Sequence, residues 1–217
     1  MFYRKIYLPL LACTMAACSK SDKETSKDAD PADLNSISVS IEGEFNQKIE
    51  ARGRDVEVAL LKFTKTSLEG FGVGGFIPDG NGSMKTEATT GLMKLQLQAG
   101  AEQTGTATGS VTVKSGNNQT QYAGQSYFLY YDTDVNAANS KVYLTLTEVK
   151  DTANLLKLRG QFRYNAAYGP DKQSDDCIKE ALANSGRLPM YNADLCGAKK
   201  VKVSGTFTIY LDKVMQQ

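Results

Sequence analysis

Apolar and polar side chains take alternate positions along much of this chain. Over residues 37–45, Ile37, Val39, Ile41, Gly43 and Phe45 fall on one face and Ser38, Ser40, Glu42 and Glu44 on the other. Successive side chains of an extended strand point to opposite faces, so this period of two predicts a strand with one buried side. Residues 156–164 repeat the pattern, setting Leu156, Leu158, Gly160, Phe162 and Tyr164 against Lys157, Arg159, Gln161 and Arg163. Residues 201–211 do the same through Val201, Val203, Gly205, Phe207, Ile209 and Leu211. Shorter versions at 93–97, 111–113 and 142–146 predict further strands. A change of phase between Leu60 and Leu61 predicts a bulge, or a strand covered on both faces, over 56–63.

Strands at this density, separated by Gly, Asn and Asp, predict an all-β domain: an antiparallel β-sandwich, with a meander β-barrel as the alternative. Helical periodicity is confined to one short stretch. There Ser174 or Asp175 can cap a helix over 176–184, Ile178 and Leu182 form its apolar pair, and Gly186 can end it. Residues 167–198, which contain that helix, read as an insertion between two strands. The form apolar-x-Gly-x-Phe occurs at 41–45, 158–162 and 203–207, each glycine taking the place of an inward side chain. Either a neighbouring aromatic packs over the gap or the strand bends there, or Gly43, Gly160 and Gly205 leave room for an apolar ligand inside a barrel.

The start of the chain differs in kind. Arg4 and Lys5 precede an uncharged stretch, 6–17, that runs into Met15, Ala16, Ala17 and Cys18. Twelve helical residues rise only about 18 Å, too little for a ~30 Å hydrocarbon core, and Pro9 would kink even that. A charged n-region, a short h-region and small residues before a cysteine resemble the lipobox signal peptide of bacterial lipoproteins. Met15 stands where Leu is more usual in that family, and a rival cysteine, Cys13, would leave an h-region of only about seven residues. The resemblance implies that 1–17 is a cleaved signal peptide and that Cys18 carries the lipid. Several acyl chains hold a protein firmly where one binds marginally, so Cys18 alone would anchor the chain to a membrane. Ser19, in place of Asp, implies sorting to the outer membrane of a diderm cell envelope. Residues 19–34 hold three Lys, five Asp or Glu and almost nothing apolar. Residues 18–34 therefore read as a lipidated cysteine and disordered tether, and 35–217 as a single β-rich globular domain.

Removing Arg4 and Lys5 from the 25 basic residues leaves 23 against 24 acidic ones, a net charge of −1. No global field draws such a domain to nucleic acid. With Cys13 in the leader and Cys18 lipidated, Cys177 and Cys196 remain as a pair. In an oxidising compartment they read as a disulfide, whose loop of about 19 residues stabilises by roughly 3 kcal/mol. The chain has no histidine, which rules out His-based triads, His-ligated zinc and His acid–base chemistry. No carboxylate pair stands out for glycoside hydrolysis. Catalysis is disfavoured on these grounds, and no cofactor is expected.

Several segments carry candidate chemistry. Gly70, Gly72 and Gly75 spell G-x-G-x-x-G, but breakers and turn formers follow at 76–82, so the segment reads as a loop. Asp132, Asp134 and Asn136 have the spacing of oxygen ligands for calcium, and Asp79, Asn81 and Ser83 repeat it weakly. Ala137 or Met84 replaces the turn glycine, and Tyr143 or Thr90 the bidentate Glu, so a polar turn is the plainer account. Alternation over 127–131 puts Tyr127, Leu129 and Tyr131 on one face and Phe128 and Tyr130 on the other. One face is an aromatic platform for sugars or a partner protein, unless the strand is buried on both sides. Lys157, Arg159 and Arg163, joined by Lys199, Lys200 and Lys202 if their strands are neighbours, form a basic patch for lipid phosphates or anionic glycans. The same patch also serves as a solvated face that blocks edge aggregation. The function expected is a membrane-anchored, non-catalytic binding or scaffolding module. Its partner would be an envelope protein, glycan or lipid, met through Tyr127, Tyr130, Tyr131, Lys157, Arg159 and Arg163. A lipid-carrying barrel and a carboxylate hydrolase are the alternatives.

Overall fold

The computed structural model of the protein describes residues 30–78, 84–114, 124–130, 141–168, 175–183, 193 and 196–213. The leader, Cys18, Tyr131 and both calcium-like triplets, Asp132/Asp134/Asn136 and Asp79/Asn81/Ser83, lie outside the described residues. The strands are β1 Ser36–Gly43, β2 Gln47–Arg52, β3 Val56–Leu60, β4 Ser67–Pro78, β5 Met84–Gln96, β6 Glu102–Gln103, β7 Ala107–Lys114, β8 Gly124–Phe128, β9 Tyr143–Asp151, β10 Leu155–Tyr168 and β11 Lys199–Asp212. Among the described residues there is one α-helix, α1 Asp175–Ala183. It lies between β10 and β11 as the insertion pattern predicts, and Cys177 within it is bonded to Cys196.

All pairings are antiparallel and join one sheet in the order β2-β1-β11-β10-β8-β7-β5-β4-β3, with β9 on β10 and β6 on β9. The long β10 supports the fork, since 155–163 pair with β9 and Ala167 pairs with Phe128 of β8. The predicted alternation sets the core. Ile37, Val39 and Ile41 of β1, Leu156, Leu158, Phe162 and Tyr164 of β10, and Val201, Val203, Phe207, Ile209 and Leu211 of β11 are all buried. Each such side chain removed from water contributes about 1.5–3 kcal/mol before entropy is counted.

The sheet does not split into two stacked layers. It curls until β4 lies against β1 and β2, giving the nearly closed, barrel-like form of the two expected architectures. Three contacts close it. A Cβ at Gly75 of β4 would come within 2.5 Å of Ile37 Cγ2 and 3.2 Å of Ala51 Cβ, so glycine lets β4 lie against β1 and β2. The rings of Phe71 in β4 and Phe207 in β11 sit 5.6 Å apart. The Tyr164 hydroxyl lies 2.9 Å from the carbonyls of both Thr89 in β5 and Ser110 in β7, so one proton is shared between two strands across the interior. Burial pushes that phenol's pKa well up, which keeps it a donor.

Two of the three Gly-x-Phe glycines explain one another. Gly160 pairs with Phe207 and Gly205 with Phe162. A Cβ at Gly160 would stand 2.6 Å from Phe207 Cζ, and one at Gly205 equally close to Phe162 Cζ. Each ring thus fills the place of the side chain missing opposite it, and the interior space expected at these glycines is occupied. Gly43 departs from the expectation of an inward gap. It is exposed at the end of β1 with φ +130°, and a Cβ there would lie 2.6 Å from the Lys200 carbonyl oxygen.

Other expectations are corrected. Gly70, Gly72 and Gly75 are in strand β4 and not in a loop, because β3 and β5 pair with that segment on both sides. The phase change at Leu60 and Leu61 is the end of β3. Leu61 turns outward, 76% exposed, with its side chain lying over Gly70. The folded region starts before residue 35, since Asp30 accepts from Ala32 N at 3.0 Å and caps a 3₁₀ turn over Pro31–Leu34.

Candidate functional site

The outer faces of β2, β1, β11, β10 and β9 form one continuous surface, and pairing register decides what stands side by side. The first cross-strand row reads Arg52, Ser36, Thr208, Arg159 and Glu148. The second reads Glu50, Ser38, Thr206, Gln161 and Thr145, and the third Lys48, Ser40, Ser204, Arg163 and Tyr143. The two central strands β1 and β11 thus offer only Ser and Thr, while β2 and β10 on either side carry long side chains. Short residues between long ones make a trough. From side-chain and strand spacings it is about 13 Å long and about 14 Å between walls. Two depressions of about 360 and 410 Å³ occupy it and meet at Ser38, Gln161 and Thr206.

The chemistry of the floor is unusual in what it leaves open. Among the described residues, the side chains of Ser36, Ser38, Ser204, Thr206, Thr208 and Gln161 make no hydrogen bond to the protein. Ser40 is turned toward Glu42 at 3.5 Å. A register shift between Arg159 and Gly160 leaves Thr147 as an extra residue on β9, lining the first depression. Bulges re-aim side chains in this way beside functional sites.

Lys157, Arg159 and Arg163 share this surface, as predicted, and β10 and β11 are neighbours. They are not a bare basic patch. Glu148 accepts from Lys157 at 2.9 and 3.0 Å and lies 3.7 Å from Arg159, while Glu102 pairs with Arg163 at 3.1 Å and Glu44 with Lys199 at 2.6 Å. The Lys157 hydrogen bond holds Glu148 below the usual carboxylate range, and Lys48 does the same for Glu50. Glu44 raises Lys199 correspondingly.

The aromatic platform is corrected. Tyr127 is 1% exposed and lies in the interior with its ring 5.4 Å from Phe45 and 5.6 Å from Tyr168. Strand β8 ends at Phe128, so alternation fails beyond it and Tyr130 is also buried, in a small cluster with Ala167 and Ala193. Phe128 is the exposed ring of this segment, at 52%.

A second outer face lies across β3, β4, β5 and β7. Ala59, Gly72, Gly91 and Thr108 form one row, Leu61 and Met93 flank it, and the groove encloses about 820 Å³. Of the hydroxyls that line it, Thr89 is bonded to Ser110 at 2.8 Å, those of Thr106 and Thr108 make no hydrogen bond among the described residues, and Thr90 Oγ1 is buried without a partner. Apolar side chains and glycine make up most of its lining, whereas polar side chains make up most of the trough's and its open hydroxyls stand in adjoining rows.

The trough residues on β1, β2 and β11 escaped notice in the sequence. Their signal was present: every polar position facing out between Ser36 and Ser40, and between Ser204 and Thr208, is a short hydroxyl. Among the described residues, no helix is long and apolar enough to cross a membrane, and no cluster of three metal-ligating side chains forms. Comparison with protein-family models, with curated proteins and with solved structures finds no match to the chain.

Proposed function

We propose that the protein is a lipoprotein of the bacterial cell envelope, held at the outer membrane through lipidated Cys18, whose β domain is a non-catalytic module that binds a glycan in the trough. The observation that carries the reading is the set of unshared donors and acceptors on the floor, at Ser36, Ser38, Ser204, Thr206, Thr208 and Gln161. Sugar hydroxyls both donate and accept, as do Ser and Thr hydroxyls, and short side chains leave room for a ring to approach the sheet. Each hydrogen bond contributes only about 0.5–1.5 kcal/mol net, so a surface that supplies many along a line suits an extended oligosaccharide. Lys48 and Lys157 favour the ionised forms of Glu50 and Glu148, the reverse of what a general acid requires, which supports binding over hydrolysis.

Two measurements test this. Mass spectrometry of the native protein is expected to find a triacylated N-terminal Cys18; an intact leader, or an unacylated cysteine, counts against the anchor. Thr206 stands exposed in the middle of the floor. Thr206→Tyr is expected to block retention on immobilised polysaccharides while moving the thermal midpoint by no more than about 2 °C, as for a surface change. Thr108→Tyr, on the other outer face, should keep retention. If the unaltered protein is retained by no polysaccharide, or Thr206→Tyr binds undiminished, the glycan reading fails.

A further inference from the structure

We infer that the end of the trough floored by Ser36 and Thr208 is a subsite for the carboxylate of an acidic sugar, gripped between Arg52 and Arg159. The inference rests on the trough being a glycan site and adds the charge class of the glycan. Its first ground is an imbalance. Lys48, Arg52, Arg159 and Arg163 stand on the trough walls with three carboxylates, Glu50, Glu102 and Glu148, and Lys157, one row beyond, takes up most of Glu148. The excess is local. Glu148 gives both oxygens to Lys157 and leaves Arg159 at 3.7 Å. Glu50 is bound to Lys48. Arg52, exposed at the end of β2, makes no ion pair within 4.0 Å among the described residues and acts on Glu50 only at longer range.

Position is the second ground. Arg52 and Arg159 occupy one cross-strand row with Ser36 and Thr208 between them, and both line the same depression of about 360 Å³. Guanidinium groups borne on opposite walls can swing over these hydroxyls to clasp a planar carboxylate, Arg159 by turning from Glu148 on the β9 side, while the floor takes the ring's hydroxyls. Thr147, set out by the bulge, adds a hydroxyl at the same end. The third ground is that the trough's aromatic ring, Tyr143, is capped by the Arg163 guanidinium at 3.9 Å, so that face is closed to a sugar. Charge then supplies the orientation that stacking would otherwise give. Two guanidinium groups, each opposed only by a carboxylate that Lys48 or Lys157 already holds, suit the single charge of a uronate.

The test is calorimetric titration of the full chain in detergent with three probes: polygalacturonate, dextran and dextran sulfate. Polygalacturonate is expected to bind at least about tenfold tighter than dextran, the factor given by one charged hydrogen bond. Arg52→Gln should remove about tenfold for polygalacturonate and leave dextran unchanged, with Arg52→Lys recovering part. Lys62→Gln makes the same change of net charge on an exposed turn and should have no effect. The acidic subsite is overturned if dextran binds as well as polygalacturonate, if dextran sulfate binds as tightly, or if Arg52→Gln and Lys62→Gln act alike. In those cases the glycan reading survives; if no probe binds, both fall.

Discussion

Replacing Phe207 with alanine is expected to destabilise the domain by about 3–5 kcal/mol, and to lower its thermal midpoint by roughly 10 °C. The ring is 3% exposed, lies 5.6 Å from the Phe71 ring, and covers the position where Gly160 has no side chain. Truncation therefore removes more than the ring's own contacts. Gly160 has nothing with which to refill the space, and the contact between β11 and β4 that helps close the barrel is lost with it. Urea unfolding with an unchanged slope is the measurement. A companion variant isolates the cross-strand pairing. Gly160→Ala alone should cost about 1–3 kcal/mol, because its Cβ would stand 2.6 Å from Phe207 Cζ. In the Phe207→Ala background the same change should cost much less, though the Thr145 carbonyl oxygen, 2.9 Å from that Cβ, keeps the cost above zero. Strict additivity of the two changes, or a Phe207→Ala cost below about 1 kcal/mol, would show that the ring does not fill the glycine's place.

Opening the Cys177–Cys196 bond is expected to act locally and strongly. The bond closes a separation of 19 residues around α1, which has nine. A helix that short is marginal by itself in water, so its order depends on what pins it. Cys177 and Cys196 are both buried, and the neighbouring cluster of Tyr130, Ala167 and Ala193 is small. Loss of a loop constraint of this length removes about 3 kcal/mol, which corresponds to amide exchange in α1 faster by more than about a hundredfold. The barrel amides of β10 and β11, set in a continuous ladder over their full length, should keep their protection. Hydrogen exchange on the reduced protein, or on Cys177→Ser with Cys196→Ser, reads both regions at once. Unchanged exchange in α1 would mean that the helix holds without the bond, and loss of protection throughout would mean that the insertion and the barrel unfold as one unit.

Strands β1, β10 and β11 could be read directly because their apolar residues alternate without interruption, and a period of two is a local property. The helix at 175–183 and the Cys177–Cys196 pair were legible for the same reason: caps, turn spacing and cysteine count are all carried by neighbouring residues. β4 was not. Its run of Gly70, Gly72, Gly74 and Gly75 has the local preferences of a loop and becomes a strand because β3 and β5 pair with it on both sides and β1 and β2 pack against Gly75. The same contrast separates Tyr127 and Tyr130 from the platform they were expected to form, since the place where β8 ends decides which way the later ring points.

The candidate site shows the division most clearly. Sequence alone determined that Lys157, Arg159 and Arg163 share a face, and that Ser38 and Ser40 face away from the core. Only the tertiary structure brought Arg52 into one row with Arg159, gave the basic residues their carboxylate partners, and curled the sheet into a nearly closed, barrel-like form. The reason is physical. Which face a side chain takes follows from the residues beside it, whereas which strands lie alongside, in what register and with what curvature, is settled by packing between segments more than a hundred residues apart.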